Sequence, residues 1–99
     1  MEIKKILEGT TLTIQLSGRL DASNAQELTN ELNSALNGIK DLIFDFTNLK
    51  YVASAGLRVL LTAQKRMNKQ GSMKIRNVED GVMEVFEMTG FADLMDIEQ

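Results

Sequence analysis

The sequence predicts a single α/β domain: a four- or five-stranded mixed sheet with helices packed on it, in the order ββαβαβα. Three observations carry this reading. Segments whose apolar residues recur at every second position alternate with segments where they recur every three or four. The chain has no proline, and glycines fall where the periodic segments stop. Its 99 residues, 43% of them apolar, make one domain of ordinary size with enough apolar surface for a core.

Ile3–Leu7 reads as a short first strand, turned at Glu8-Gly9. Thr11–Ser17 alternates Leu12, Ile14 and Leu16 with Thr11, Thr13 and Gln15, the pattern of a half-buried strand, and Gly18 is expected to end it. Ser23-Asn24-Ala25-Gln26 has capping-box spacing, a hydroxyl at the cap and an amide three residues on. Ala25, Leu28, Leu32, Ala35 and Leu36 then form one apolar helix face, which stops at Asn37-Gly38.

Asp41–Phe46 is the next strand, with Leu42, Phe44 and Phe46 on one face and Ile43 and Asp45 on the other. Thr47–Ala53 reads as a loop anchored by Leu49, Tyr51 and Val52. A second helix runs from Ser54 to about Gln70, with Leu57, Leu60, Leu61, Ala63 and Met67 inward. Its polar stripe is Arg58, Thr62, Lys65 and Lys69, and Gly71 ends it. Ser72–Arg76 is a strand burying Met73 and Ile75. Asp80 is the expected cap of a third helix that turns Val82, Val85 and Phe86 inward and stops at Gly90. Leu94–Ile97 is a final strand or turn, and Met67, Met73, Met83 and Met88 are read as core fillers.

Strand–helix–strand connections imply parallel neighbours with right-handed crossovers, and the first strand pairs antiparallel with the second through its hairpin. The carboxyl ends of parallel strands then share one edge, where ligands and partners are favoured. Gly18–Ser23 and Thr47–Gly56 both leave at that edge. Asp21 and Ser54 are therefore expected as neighbours.

Composition removes much chemistry. Without cysteine or histidine there is no disulfide, thiol nucleophile, Cys/His zinc site or Ser-His-Asp triad. A net charge of −3 argues against nucleic acid as the main partner. No apolar run approaches a membrane span, and no signal-like apolar segment follows Met1-Glu2-Ile3-Lys4-Lys5, so an intracellular, cytoplasmic protein is expected. Neither a Walker A pattern nor G-x-G-x-x-G occurs, and no cofactor is expected. Charge is segregated: residues 57–76 carry six bases and no acid, residues 77–99 seven acids and no base. That is either a pair of solvated faces or a docking surface.

Ser54 stands between small residues in Ala53-Ser54-Ala55-Gly56-Leu57. It is either a helix cap or a phosphoacceptor whose added charge would face the positive end of the helix dipole. Asp21 is either a turn or cap residue or a partner contact, and Asn24 would touch the same partner. Asp45 lies in an apolar strand, either hydrogen-bonded to the following loop through Thr47 or joined with Asp21 as a metal or acid–base pair.

These segments together resemble the anti-sigma factor antagonists of the bacterial STAS domain family. Leu16-Ser17-Gly18-Arg19-Leu20-Asp21 is similar to that family's glycine-x-leucine-aspartate signature, and Leu42-Ile43-Phe44-Asp45-Phe46-Thr47 to its central strand. Tyr51-Val52-Ala53-Ser54-Ala55-Gly56-Leu57-Arg58 resembles the helix start that carries the regulatory serine. Asn77-Val78, Val82 to Phe86 and Met88-Thr89-Gly90-Phe91 resemble its third helix and stop. The family's acceptor follows an aspartate and precedes a second hydroxyl residue; here Ala53 and Ala55 occupy those places.

The resemblance implies a non-enzymatic, monomeric switch. Its unphosphorylated form would bind an anti-sigma factor that is also a serine kinase, freeing a sigma factor. Phosphorylation of Ser54 would release that partner, and a phosphoserine phosphatase would reset the switch. The partner-facing set would be Asp21, Asn24, Thr47, Ala53, Ala55, Gly56 and Arg58. Two other readings stand beside it: a non-phosphorylated STAS scaffold or adaptor in a sensory or transport-associated complex, and a small acid–base enzyme using Asp21 and Asp45.

Overall fold

The computed structural model describes all of residues 1–99. Strands β1 (Glu2–Glu8) and β2 (Thr11–Leu20) form a hairpin, paired antiparallel from Glu2↔Ser17 to Glu8↔Thr11. From β2 onward each strand lies parallel beside the next: β3 (Asp41–Val52), β4 (Ser72–Arg76) and β5 (Asp96–Ile97). The crossovers run through α1 (Ala25–Ala35), α2 (Ser54–Gln70) and α3 (Asp80–Thr89).

The sheet order β1-β2-β3-β4-β5 follows the chain. With strands in sequence order and crossovers of one hand, all three helices must lie on the same face of the sheet. Burial agrees with this. Leu12, Ile14 and Leu16 of β2, Leu42, Phe44 and Phe46 of β3, and Met73 and Ile75 of β4 are buried. The alternate residues Thr13, Gln15, Ile43, Asp45 and Lys74 are only partly covered, so the second face is open. The core thus lies between one sheet face and one helix layer. At its centre Phe46 packs against Phe44 and Phe86, with ring centroids 5.9 and 6.5 Å apart.

Several local expectations are corrected. Gly18 does not end β2: it takes φ +88 and the strand continues to Leu20. Thr47–Val52 is not a loop but the second half of β3. Twelve residues of β3 face ten of β2 between Thr11↔Asp41 and Leu20↔Val52, so β3 carries two extra residues as bulges. They change the spacing of buried residues from two to three, at Phe46, Leu49 and Val52. Tyr51, read as an anchor, is 39% exposed in consequence.

No capping box forms at α1. Asn24 is the cap residue and makes no side-chain cap bond, and the Ser23 hydroxyl turns back to Asp21. Glu79, not Asp80, caps α3, again without a side-chain bond. Met67 and Met73 are buried as expected, but Met88 is 78% exposed because it lies on the outer side of α3.

Candidate functional site

The site is assembled at the carboxyl end of the β2–β3 pair. The last register pair is Leu20↔Val52, and the Ala53 amide extends the ladder by donating to the Leu20 carbonyl at 2.9 Å. Asp21 and Ser54 are the residues that follow, and they leave the sheet side by side although 33 positions separate them. The packing beneath holds this end together. Leu20 and Val52 are buried under the first turn of α2, where Gly56 leaves room for them. A Cβ on Gly56 would stand 2.6 Å from Leu20 Cγ. Gly56 is therefore itself buried, and it admits side chains of β2 and β3 instead of another backbone.

Ser54 is the first residue of α2, and Ala53 is its N-cap, with extended backbone and no side-chain cap bond. The helix-cap reading of Ser54 is thereby overturned. Ser54 is exposed, and its hydroxyl has no hydrogen-bond partner in the chain. The first turn of α2 contains no acidic residue, so its orphan amides and dipole face an uncompensated edge. Ala53 and Ala55 flank it half-buried, and Arg58, one turn further along, is exposed without an ion pair.

Asp21 sits in a tight network. Its Oδ1 accepts from the Ser23 hydroxyl at 2.6 Å and the Ser23 amide at 3.0 Å. These two bonds, the hydroxyl first, hold its carboxyl below the usual range, with the Arg19 charge assisting. Asn24 braces the same turn: its Oδ1 accepts from the Asp21 amide and its Nδ2 donates to the Arg19 carbonyl.

Asp45 and Thr47 form a separate cluster at the first bulge. Asp45 Oδ1 accepts from the Thr47 hydroxyl at 2.6 Å, the Thr47 amide at 3.0 Å and Asn77 Nδ2 at 3.1 Å. Gln15 Nε2 reaches Oδ2 at 3.4 Å. Desolvation is the largest single influence on Asp45 and raises its pKa. The bonds from Thr47, Asn77 and Gln15 together outweigh it, and the net displacement is downward. The hydrogen-bonding reading of Asp45 holds. Its pairing with Asp21 does not: Asp45 stands opposite Gln15, six residues back along β2, or ~20 Å at strand rise. No three His, Cys, Asp or Glu side chains converge anywhere as a metal cluster.

Two participants escaped the sequence reading. Arg19 lies across the pair from Tyr51, its guanidinium carbon 4.3 Å from the ring centroid. Only the second bulge brings them together, and that bulge leaves no periodic signature. Asn77 enters the Asp45 cluster with φ +59, a left-handed conformation that asparagine tolerates better than most residues. That preference was its one legible sign.

Comparison with known proteins finds relatives of this chain. A family model described as "Mlab, STAS domain" matches residues 4–96. The anti-sigma factor antagonist BtrV of Bordetella bronchiseptica is 33% identical over 84 residues, 83% of this chain and 72% of that protein. The anti-sigma-B factor antagonist of Bacillus subtilis is 29% identical over 87 residues, 87% of this chain and 80% of that one. Among solved structures, an anti-sigma factor antagonist from Mycobacterium paratuberculosis superposes with a TM-score of 0.88. That match covers 98% of this chain and 84% of the other at 14% identity, and so shows a shared fold.

Proposed function

We propose that this chain, which belongs to the STAS domain family, is a non-enzymatic anti-sigma factor antagonist that works as a phosphorylation-controlled switch. Unphosphorylated, it binds a cytoplasmic anti-sigma factor that is also a serine kinase, and so frees a sigma factor. The kinase phosphorylates Ser54 and releases itself, and a phosphoserine phosphatase resets the chain, which acts as a monomer. The names of the Bordetella and Bacillus relatives support the general role.

One observation carries the finer reading: Ser54 is an exposed, unbonded hydroxyl at a helix start, on the edge it shares with the braced Asp21 turn. A phosphate there adds about −1.5 to −2 charge. The amides of α2 tolerate that charge, so the fold survives phosphorylation. A partner covering the same edge must desolvate it, and the complex weakens. Asp21, Asn24, Ala53, Ala55 and Arg58 surround Ser54 and supply the contact surface. Thr47 lies apart from this surface, bonded to Asp45 at the first bulge, and Gly56 contributes by seating the helix.

The test is intact mass after incubation with the host's candidate kinases and magnesium ATP, on wild type and Ser54→Ala. One phosphate on wild type alone is the expected result. Phosphate on both proteins moves the acceptor elsewhere. No phosphate on either, with each kinase shown active on another substrate, replaces the switch with the second reading. That reading is a non-phosphorylated adaptor in a sensory or transport-associated complex. Ala53 favours it, since no carboxylate adjoins Ser54 on that side to orient its hydroxyl.

A further inference from the structure

The geometry points to Arg19, stacked on Tyr51, as a specificity-determining anchor that docks a carboxylate of the partner beside Ser54. This inference rests on the antagonist function proposed above and adds the chemistry that selects the partner. Arg19 and Tyr51 form the register pair immediately before Leu20↔Val52, so they stand one step from the residues that leave toward Asp21 and Ser54. The guanidinium lies over the ring at 4.3 Å, which fixes its plane without using its N–H donors.

Those donors are free. No hydrogen bond within the chain involves the Arg19 side chain, and its one ion-pair contact is Nε to Asp21 Oδ2 at 3.8 Å. Asp21 is already committed through its other oxygen to Ser23. The Arg19 side chain is 63% exposed and Tyr51 39% exposed. The result is a planar fork of donors, pre-oriented by an aromatic ring and making no hydrogen bond inside the molecule. Its geometric complement is a carboxylate accepting two parallel N–H bonds. Arginine and tyrosine are also the residue types enriched where binding energy concentrates.

The charge around the site favours the same partner. Arg58 is unpaired on the exposed side of α2, one turn from Ser54. Of the six bases between residues 57 and 76, Arg58 is the one near the start of α2; Lys65, Arg66 and Lys69 stand ~16 Å or more further along the helix, and Lys74 is paired with Asp96 and Glu98. A partner segment bearing Asp or Glu is attracted to Arg19 and Arg58, whereas a basic segment is repelled by both.

The experiment is equilibrium binding of the unphosphorylated chain to each candidate anti-sigma kinase, by titration calorimetry. It compares wild type, Arg19→Glu, Arg19→Lys, Tyr51→Ala and, as a control for the edge itself, Ser54→Glu. Arg19→Glu is expected to lower affinity at least about tenfold, and Arg19→Lys by a smaller but measurable factor, because lysine keeps the charge and loses the fork. Tyr51→Ala should fall between them. Replacing the matching partner acid with lysine should restore binding to Arg19→Glu. Thermal melts of the Arg19 and Tyr51 variants should coincide with wild type, since both side chains are surface groups. If Arg19→Glu binds within twofold of wild type while Ser54→Glu does not bind, the anchor is refuted and the antagonist function stands. If wild type binds none of the kinases, both readings fall.

Discussion

Gly56→Ala tests the packing that aligns Ser54 with Asp21. In the folded chain an added Cβ would lie 2.6 Å from Leu20 Cγ, 2.8 Å from Leu20 Cδ2 and 3.1 Å from Val52 Cγ2. Neither neighbour can withdraw into solvent, for Leu20 is 0% and Val52 1% exposed. Overpacking a closed site costs about 1–3 kcal/mol, and two contacts below 3.0 Å place this case near 3. Helix propensity opposes it, alanine being favoured over glycine by about 1 kcal/mol. The net expectation is about 2 kcal/mol of destabilisation, or a fall in Tm of about 8–16 °C for a domain of this length. Chemical denaturation read by circular dichroism, with Gly81→Ala as control, measures it. Gly81 lies in α3 with nothing within 4 Å of its would-be Cβ, so that substitution should be neutral or stabilising by about 0.5 kcal/mol. If Gly56→Ala melts at or above wild type, the first turn of α2 is not seated on β2 and β3 as described. The account of why Asp21 and Ser54 stay together would then fail.

Three further outcomes follow from the same geometry. The folded pKa of Asp45 is depressed, so its contribution is complete above its unfolded value of about 3.9 and is lost as pH falls through the folded value. Asp45→Asn should therefore cost about 1 kcal/mol at pH 7, partial exposure considered, with the difference from wild type vanishing toward pH 2 in denaturation series. A negative charge at Ser54 meets a first helical turn without acids, so Ser54→Asp should stabilise the free chain by about 0.5 kcal/mol and raise Tm by about 2–4 °C. Its affinity for the kinase should drop in the same preparation; a fall in Tm would show that the helix start does not tolerate charge. Phe86→Ala removes a fully buried ring stacked on Phe46, and urea titration should show a loss of about 3–5 kcal/mol.

Where apolar periodicity was uninterrupted, the sequence was enough. The bounds of α2, Ser54–Gln70, and of β4, Ser72–Arg76, were legible because each segment keeps one period and ends at a residue suited to stopping it. Gly71 shows why that stop is strict: a Cβ there would lie 1.7 Å from the Lys40 carbonyl oxygen. The second half of β3 was not legible. Its bulges space Phe46, Leu49 and Val52 three apart, which is neither the strand period nor a sustained helical one, and the stretch therefore read as a loop.

The candidate site divides in the same way. Ser54 at a helix start, Asp21 in a turn and their common sheet edge follow from element order and crossover handedness, which local sequence carries. Whether Ser54 would cap its helix and which oxygen of Asp21 was already occupied were decided by the backbone conformation adopted at the two strand ends. That Arg19 would lie on Tyr51 was decided by register between strands more than 30 residues apart in the chain. One extra residue in a ladder changes which side chains face each other, and a single sequence holds no local record of that pairing.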